Sequence, residues 1–222
     1  VSTFEENITI TNITEAVSTE EPDSTDEWWV LFFDYFQLVL AIGGFLANFG
    51  TFLILSITQV KGFSPIMLLL LKHQSVMDGM ACTVAALLLL QSPNWMSGVK
   101  WFDVLLCQLW HSQFIYWYFV YLSVWNLLCI AVERFLAVVY PLSHHRYDKK
   151  MACKIFLICY IAALFFDSIT ATQITYEDGK CLGKFLIQGE KSLMLYRAYV
   201  IIVFLTEYAL PVAAFIILYV AV

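Results

Sequence analysis

Between Gln108 and Val132 the chain reads QLWHSQFIYWYFVYLSVWNLLCIAV, with no acidic or basic side chain, although polar His111, Gln113, Ser123 and Asn126 are scattered through it. A run of ~20 apolar residues crosses the hydrocarbon core of a bilayer, so this stretch predicts a transmembrane helix with length to spare. Cys107 and Arg134, just beyond its ends, are 27 residues apart. One unbroken helix between them would measure about 40 Å at ~1.5 Å per residue, roughly a bilayer with its headgroups. Cys107 then marks one face of the membrane and Glu133-Arg134 the other. Steps of four and three put Tyr116, Val120, Ser123, Leu127, Ile130 and Arg134 on one stripe of that rod.

The composition agrees with a membrane protein. Hydrophobic residues make up 61% of the chain and charged residues 14%, against about 25% charged in an ordinary globular domain. The net charge of −6 is concentrated in residues 1–27, which hold eight acids and no Lys or Arg; the other ten acids face all twelve bases, leaving +2. No basic patch interleaved with aromatics is present, which argues against nucleic acid as a partner. Residues 1–27 are rich in Ser, Thr and Glu and read as a disordered tail. Two glycosylation sequons, at Asn7 and Asn12, make it an extracellular one. The chain opens on Val without a signal-peptide pattern and stops inside the apolar run FIILYVAV, so we expect a piece of a longer protein.

Five apolar stretches follow the tail, at about 28–57, 65–90, 108–139, 151–171 and 193–222. Lys and Arg set their orientation. Lys61, Arg134, Arg146, Lys149, Lys150 and Lys154 cluster at one set of ends. Lys100, Lys180, Lys184 and Lys191 at the other are diluted by Asp103, Glu177, Asp178 and Glu190. The bias puts the N-terminus outside, as the sequons do.

Cys107 at the outer end, Glu133-Arg134-Phe135 at the inner end and Pro141-Leu142 beyond resemble the third span of rhodopsin-like (class A) G-protein-coupled receptors. Asn48, Asp78, Trp101, Cys181, Pro211 and Tyr219 fall in the order that family requires, so the likeness covers residues 28–222. It implies an all-α transmembrane bundle, five spans of a seven-helix receptor fold, truncated after the fifth span, in the plasma membrane. Cys82, Cys129 and Cys159 lie within spans and Cys153 at a cytosolic end, which leaves Cys107 and Cys181 as the pair on the oxidising side. The likeness has departures. Cys107–Arg134 and Asn48–Asp78 are each two residues longer than the family's usual spacing, the fourth span has no Trp, and HQSVM precedes Asp78.

The resemblance also assigns roles. Asn48, Asp78 and Ser123 match an internal polar site that implies a bound sodium ion, with Asp78 as the metal ligand; a carboxylate in mid-span needs a partner in any case. Glu133, Arg134, Phe135 and Tyr219 match the surface that couples to a heterotrimeric G protein. An outward cavity is expected between spans three, four and five, lined by Gln113, Tyr116, Trp117 and Val120. Tyr116 stands where receptors for amines carry Asp, which disfavours an amine ligand. Glu207, one turn before Pro211, and Asp167 would receive a cationic group, such as an arginine of a peptide ligand, and aromatic walls suit that chemistry. The alternative is a transporter or channel component with Asp78 and Glu207 as pathway carboxylates. No nucleophile–base pair or metal cluster suggests an enzyme: His144-His145 lacks metal-ligand spacing. Gly43-Gly44 reads as close helix packing, and His73 and His111 as structural.

Overall fold

The computed structural model describes residues 24–58, 64–91, 96–140, 149–172, 174–177, 179–183 and 190–220. Asn7, Asn12 and Pro141 lie outside them. The described chain is helical apart from one hairpin: α1 (Ser24–Ile57), α2 (Pro65–Leu90), a short α3 (Lys100–Leu105), α4 (Phe114–Val139), α5 (Lys149–Ala171), strands β1 (Ile174–Glu177) and β2 (Lys180–Gly183), α6 (Glu190–Phe204) and α7 (Leu210–Val220). Two wider, π-helical turns interrupt the series, Leu106–His111 ahead of α4 and Leu205–Ala209 between α6 and α7. Segments 28–57, 65–90, 100–139 and 197–218 are long and apolar enough to cross a membrane; α5 adds a helix of 23 residues.

Polarity is inverted relative to a water-soluble domain. Phe32, Phe36, Leu46, Ile54, Leu157, Ile158, Ile161, Phe165, Ile216 and Ile217 are exposed, whereas Ser75, Asp103, Ser123, Asn126, Glu133, Asp167 and Glu207 are buried. With lipid as the solvent, apolar side chains lose nothing by facing outward, and polar ones must find partners inside. α4 is the central staff, in contact with α2, α5 and α7, while α1 packs on α2. Met77, Tyr121, Leu122 and Ala163 form the core where α2, α4 and α5 meet, with Trp117, Tyr118 and Tyr160 packed around them. His73 ties α2 to α5: Nε2 lies 2.9 Å from the Tyr160 hydroxyl and the ring stacks on Phe156.

The expectation of one rod from Cys107 to Arg134 fails. Ser112 N–H donates to the Cys107 carbonyl five residues back, and Gln113 adopts a left-handed conformation with φ 61° before α4 begins. Such a φ is uncommon outside glycine and marks a true break. Its physical reason is the two-residue surplus noted above. A wide turn holds more residues per unit rise, so the surplus is taken up outside α4. Cys107 still reaches Cys181, with their Cα atoms 5.5 Å apart and the disulfide formed. α4 itself keeps 26 continuous residues, about 39 Å of helix.

The outer end is a built cap. β1 and β2 pair antiparallel with Tyr176 opposite Cys181, and Gly179 takes φ +77° at the turn. Asp103, fully screened from solvent, gathers the cap. It accepts from the Ser97 hydroxyl at 2.7 Å, the Ser97 N–H at 2.8 Å, the Gly98 N–H at 3.2 Å and the Tyr176 hydroxyl at 3.4 Å. Residues 100–139 would measure about 60 Å as helix, twice a hydrocarbon core, so α3 stands outside the crossing segment. The Ser97 hydroxyl, then the backbone N–H groups and the Tyr176 hydroxyl, hold the Asp103 carboxyl below the usual carboxylate range, against the opposing pull of burial.

Two predictions follow from this packing. A Cβ on Gly44 would stand 2.7 Å from the Cys82 sulfur, whereas one on Gly43 would meet nothing. Gly44→Ala is therefore expected to destabilise by about 1–3 kcal/mol, Gly43→Ala to be silent, and Cys82→Ala to restore most of the loss, all read as thermal midpoints in detergent. Because the native carboxyl of Asp103 is depressed, its stabilisation is present above the unfolded value and lost as pH falls through the folded one. Asp103→Asn should lower the midpoint at neutral pH, and the gap to wild type should narrow below about pH 4. An equal gap at both pH values would contradict the role given to the ionised form.

Candidate functional site

At mid-membrane, Gln74 and Asp78 of α2, one turn apart, face Ser123 and Asn126 of α4. Ser123 Oγ donates to Asp78 Oδ1 at 2.5 Å. Gln74 Nε2 donates to Asp78 Oδ2 at 2.9 Å and to Ser123 Oγ at 2.7 Å. Asn126 Nδ2 donates to Gln74 Oε1 at 2.8 Å and to the Leu70 carbonyl at 3.0 Å. The geometry is helical bookkeeping: Leu70, Gln74 and Asp78 repeat every four residues, and Ser123 and Asn126 are three apart, so each set shares one face. The expected pairing of Asp78 with Ser123 is present. Asn48 is not joined to them through its amide nitrogen, which donates to the Gly44 carbonyl of its own helix at 2.9 Å, although its Cβ lies near Gly79. Gln74 and Asn126 were missed as members. Their signal was available: polar residues at helical spacing inside two apolar spans.

At the inner end, Glu133 is buried and Arg134 is 47% exposed, with Nε 4.0 Å from Glu133 Oε2. Ser64 completes the arrangement. Its hydroxyl accepts from Met67 N–H, capping α2, and donates to Glu133 Oε1 at 2.5 Å. A serine directly before Pro65 is a helix-start signal that sequence reading could have used; its reach to Glu133 was not legible, because 69 residues separate them. Phe135 packs edge-on against Tyr140, ring centres 6.0 Å apart. Tyr219 lies in α7, and its side chain is outside the described residues.

The residues expected to line one cavity divide into two groups. A cavity of about 470 Å³ opens between α1, α2 and the start of α4, and Gln113 and Tyr116 line it with Gln37, Ala81, Cys82 and Leu89. Trp117 is about 100° further round the helix and packs against the core instead. Val120 is half-buried. Asp167 and Glu207 are both buried, on α5 and in the second π turn. Tyr121 lies within electrostatic reach of both, and Glu207 is turned toward the Trp125 indole. Pro211 explains the π turn beside Glu207. Proline offers no N–H to the carbonyl four residues back, and the Leu210 N–H bonds to the Leu205 carbonyl five back.

Among the described residues no group of three or more His, Cys, Asp or Glu could hold a metal ion, and nothing in this geometry pairs a nucleophile with a base. The arrangement is that of a bundle whose polar groups join separate elements at three levels: Asp103 ties Ser97, Gly98 and β1 to α3, Asp78 joins α2 to α4, and Glu133 joins α4 to the start of α2. No curated protein sequence matches the chain. The profile of the family described as 7 transmembrane receptor (rhodopsin family) matches residues 51–222. That match covers most of the chain, including α2, the disulfide, the Glu133-Arg134 pair and Pro211, and the chain therefore belongs to the rhodopsin family of seven-transmembrane receptors.

Proposed function

We propose that this multi-pass receptor takes an extracellular ligand at the plasma membrane and passes the signal to a heterotrimeric G protein. The observation that carries the reading is the inner-end pair. Arg134 is half out in the open while the acid beside it is buried and bonded to Ser64. A guanidinium at a helix end needs no such neighbour merely to reach water. A buried acid that holds it can release it, and release exposes a cation to a cytosolic partner. The Cys107–Cys181 bond supports an outward-facing cap, since such bonds persist on the oxidising side. That orientation puts the N-terminus, with Asn7 and Asn12, outside.

For the ligand we propose a peptide with a cationic group, received by Glu207 together with Asp167. Their support is the burial of two acids that both lie within electrostatic reach of Tyr121, since an intramembrane carboxylate marks function by default. Gln113 and Tyr116 would contact another part of the ligand from the cavity beside α1 and α2. The family gives no support to a transporter or channel, and its members are receptors rather than enzymes.

The complete receptor in membranes, with G-protein nucleotide exchange as the readout, tests the inner pair. Glu133→Gln and Ser64→Ala should raise ligand-independent exchange. A hydrogen bond to a charged group contributes about 1.5–3 kcal/mol, so the rise should be about tenfold or more. Arg134→Ala should abolish it. Unchanged basal exchange in Glu133→Gln would remove the restraining role from this acid. For the ligand site, Glu207→Gln should weaken binding of arginine-containing peptides by about tenfold while leaving neutral analogues unaffected, as expected for loss of about 1.4 kcal/mol. Equal loss for both would point to a packing defect.

A further inference from the structure

The family resemblance puts a sodium ion beside Asp78, and the side chains around Asp78 can be tested for that role. A small hard cation is held by oxygen lone pairs. Both carboxylate oxygens of Asp78 accept hydrogen bonds, Oδ1 from Ser123 and Oδ2 from Gln74. The Ser123 oxygen accepts from the same Gln74 nitrogen. What faces the carboxylate is therefore an NH₂ group, opposite in polarity to a cation ligand.

A terminal amide can be turned about, so its orientation must be argued from its partners. Asn126 settles it. The Leu70 carbonyl can only accept, so the Asn126 atom 3.0 Å from it is nitrogen. That same nitrogen lies 2.8 Å from Gln74, whose contacting atom must be oxygen. The other end of the Gln74 amide, pointing at Asp78 and Ser123, is then nitrogen. Turning it round would set two NH₂ groups against each other at one end and oxygen against carboxylate at the other. The oxygens here do not fit a sodium ion.

We propose that the Gln74 amide is a built-in neutral occupant of the Asp78 pocket, held in register by Asn126, and that it makes this receptor indifferent to sodium. A cation entering the pocket would have to displace two hydrogen bonds from Gln74 and would leave its amide without those acceptors. The inference depends on the α2–α4 geometry alone and stands apart from the ligand and G-protein reading.

The test is the thermal midpoint of the full receptor in nanodiscs, in sodium chloride and in choline chloride at equal ionic strength. Wild type should give the same midpoint in both salts. Gln74→Leu, which leaves the Asp78 and Ser123 oxygens open, should gain a saturable, sodium-specific rise of roughly 2–4 °C, and Asp78→Asn on that background should remove it. A sodium-specific rise in wild type that Asp78→Asn abolishes would overturn the proposal. So would insensitivity of both wild type and Gln74→Leu, since something other than the amide would then exclude the ion. If Gln74→Leu does not fold, Gln74→Met takes its place. Sodium NMR relaxation on wild type gives an independent decision: Asp78-dependent broadening overturns the proposal, and its absence supports it.

Discussion

A polar side chain inside a bilayer has no water to fall back on, and the joint between α2 and α4 is built under that constraint. Gln74, Asp78, Ser123 and Asn126 answer one another across the joint, and Asn126 also takes up the Leu70 carbonyl. Interhelical hydrogen bonds in membranes average about 0.6 kcal/mol, so the four of them contribute only about 2–3 kcal/mol to association. Their effect lies more in register. Sliding or rotating one helix against the other would strand a carboxylate and two amides in hydrocarbon, each at a cost of several kcal/mol. With α2 and α4 fixed in this way, α5 and α7 pack on the remaining faces of α4, and α1 closes on α2 through the gap at Gly44.

The outer end solves a different problem, one of length. A chain with two residues too many between its disulfide and its inner arginine could shift the whole helix by half a turn. The wide turn at Leu106–His111 and the left-handed Gln113 set the irregular backbone ahead of α4. The disulfide, the hairpin and Asp103 then hold that turn from above. The irregular backbone therefore lies at the cap, and the membrane-crossing part of the staff remains regular. The second π turn has a different cause, the missing N–H of Pro211, and holds the buried Glu207.

Much of the architecture was legible without coordinates. Helix α2 is bounded by Ser64-Pro65 at its start and by the end of the LLLL run, signals that depend on local capping and hydropathy alone. The hairpin could have been found as well, since Asp178-Gly179 between short alternating stretches is a strong turn signal. The inner pair was adjacent in sequence, so it was visible; its third member, Ser64, was not, because nothing local links it to Glu133. The division of the expected cavity residues was hidden for a related reason. Tyr116 and Trp117 are neighbours in the chain, but helical rotation sends one to α1 and α2 and the other into the core.

Hydropathy, charge placement and cysteine position are properties of the chain itself, and they were enough to determine a helical membrane protein with a Cys107–Cys181 disulfide. They suffice because lipid imposes helix on any long apolar segment and excludes bare charge, whatever the neighbours are. Which polar atom meets which was decided only when the helices packed. An amide four residues from a carboxylate can point toward it or away, and Asn126, more than fifty residues distant in the chain, fixes which way Gln74 turns. That choice depends on contacts of 2.8 and 3.0 Å between separate helices, which no local pattern records.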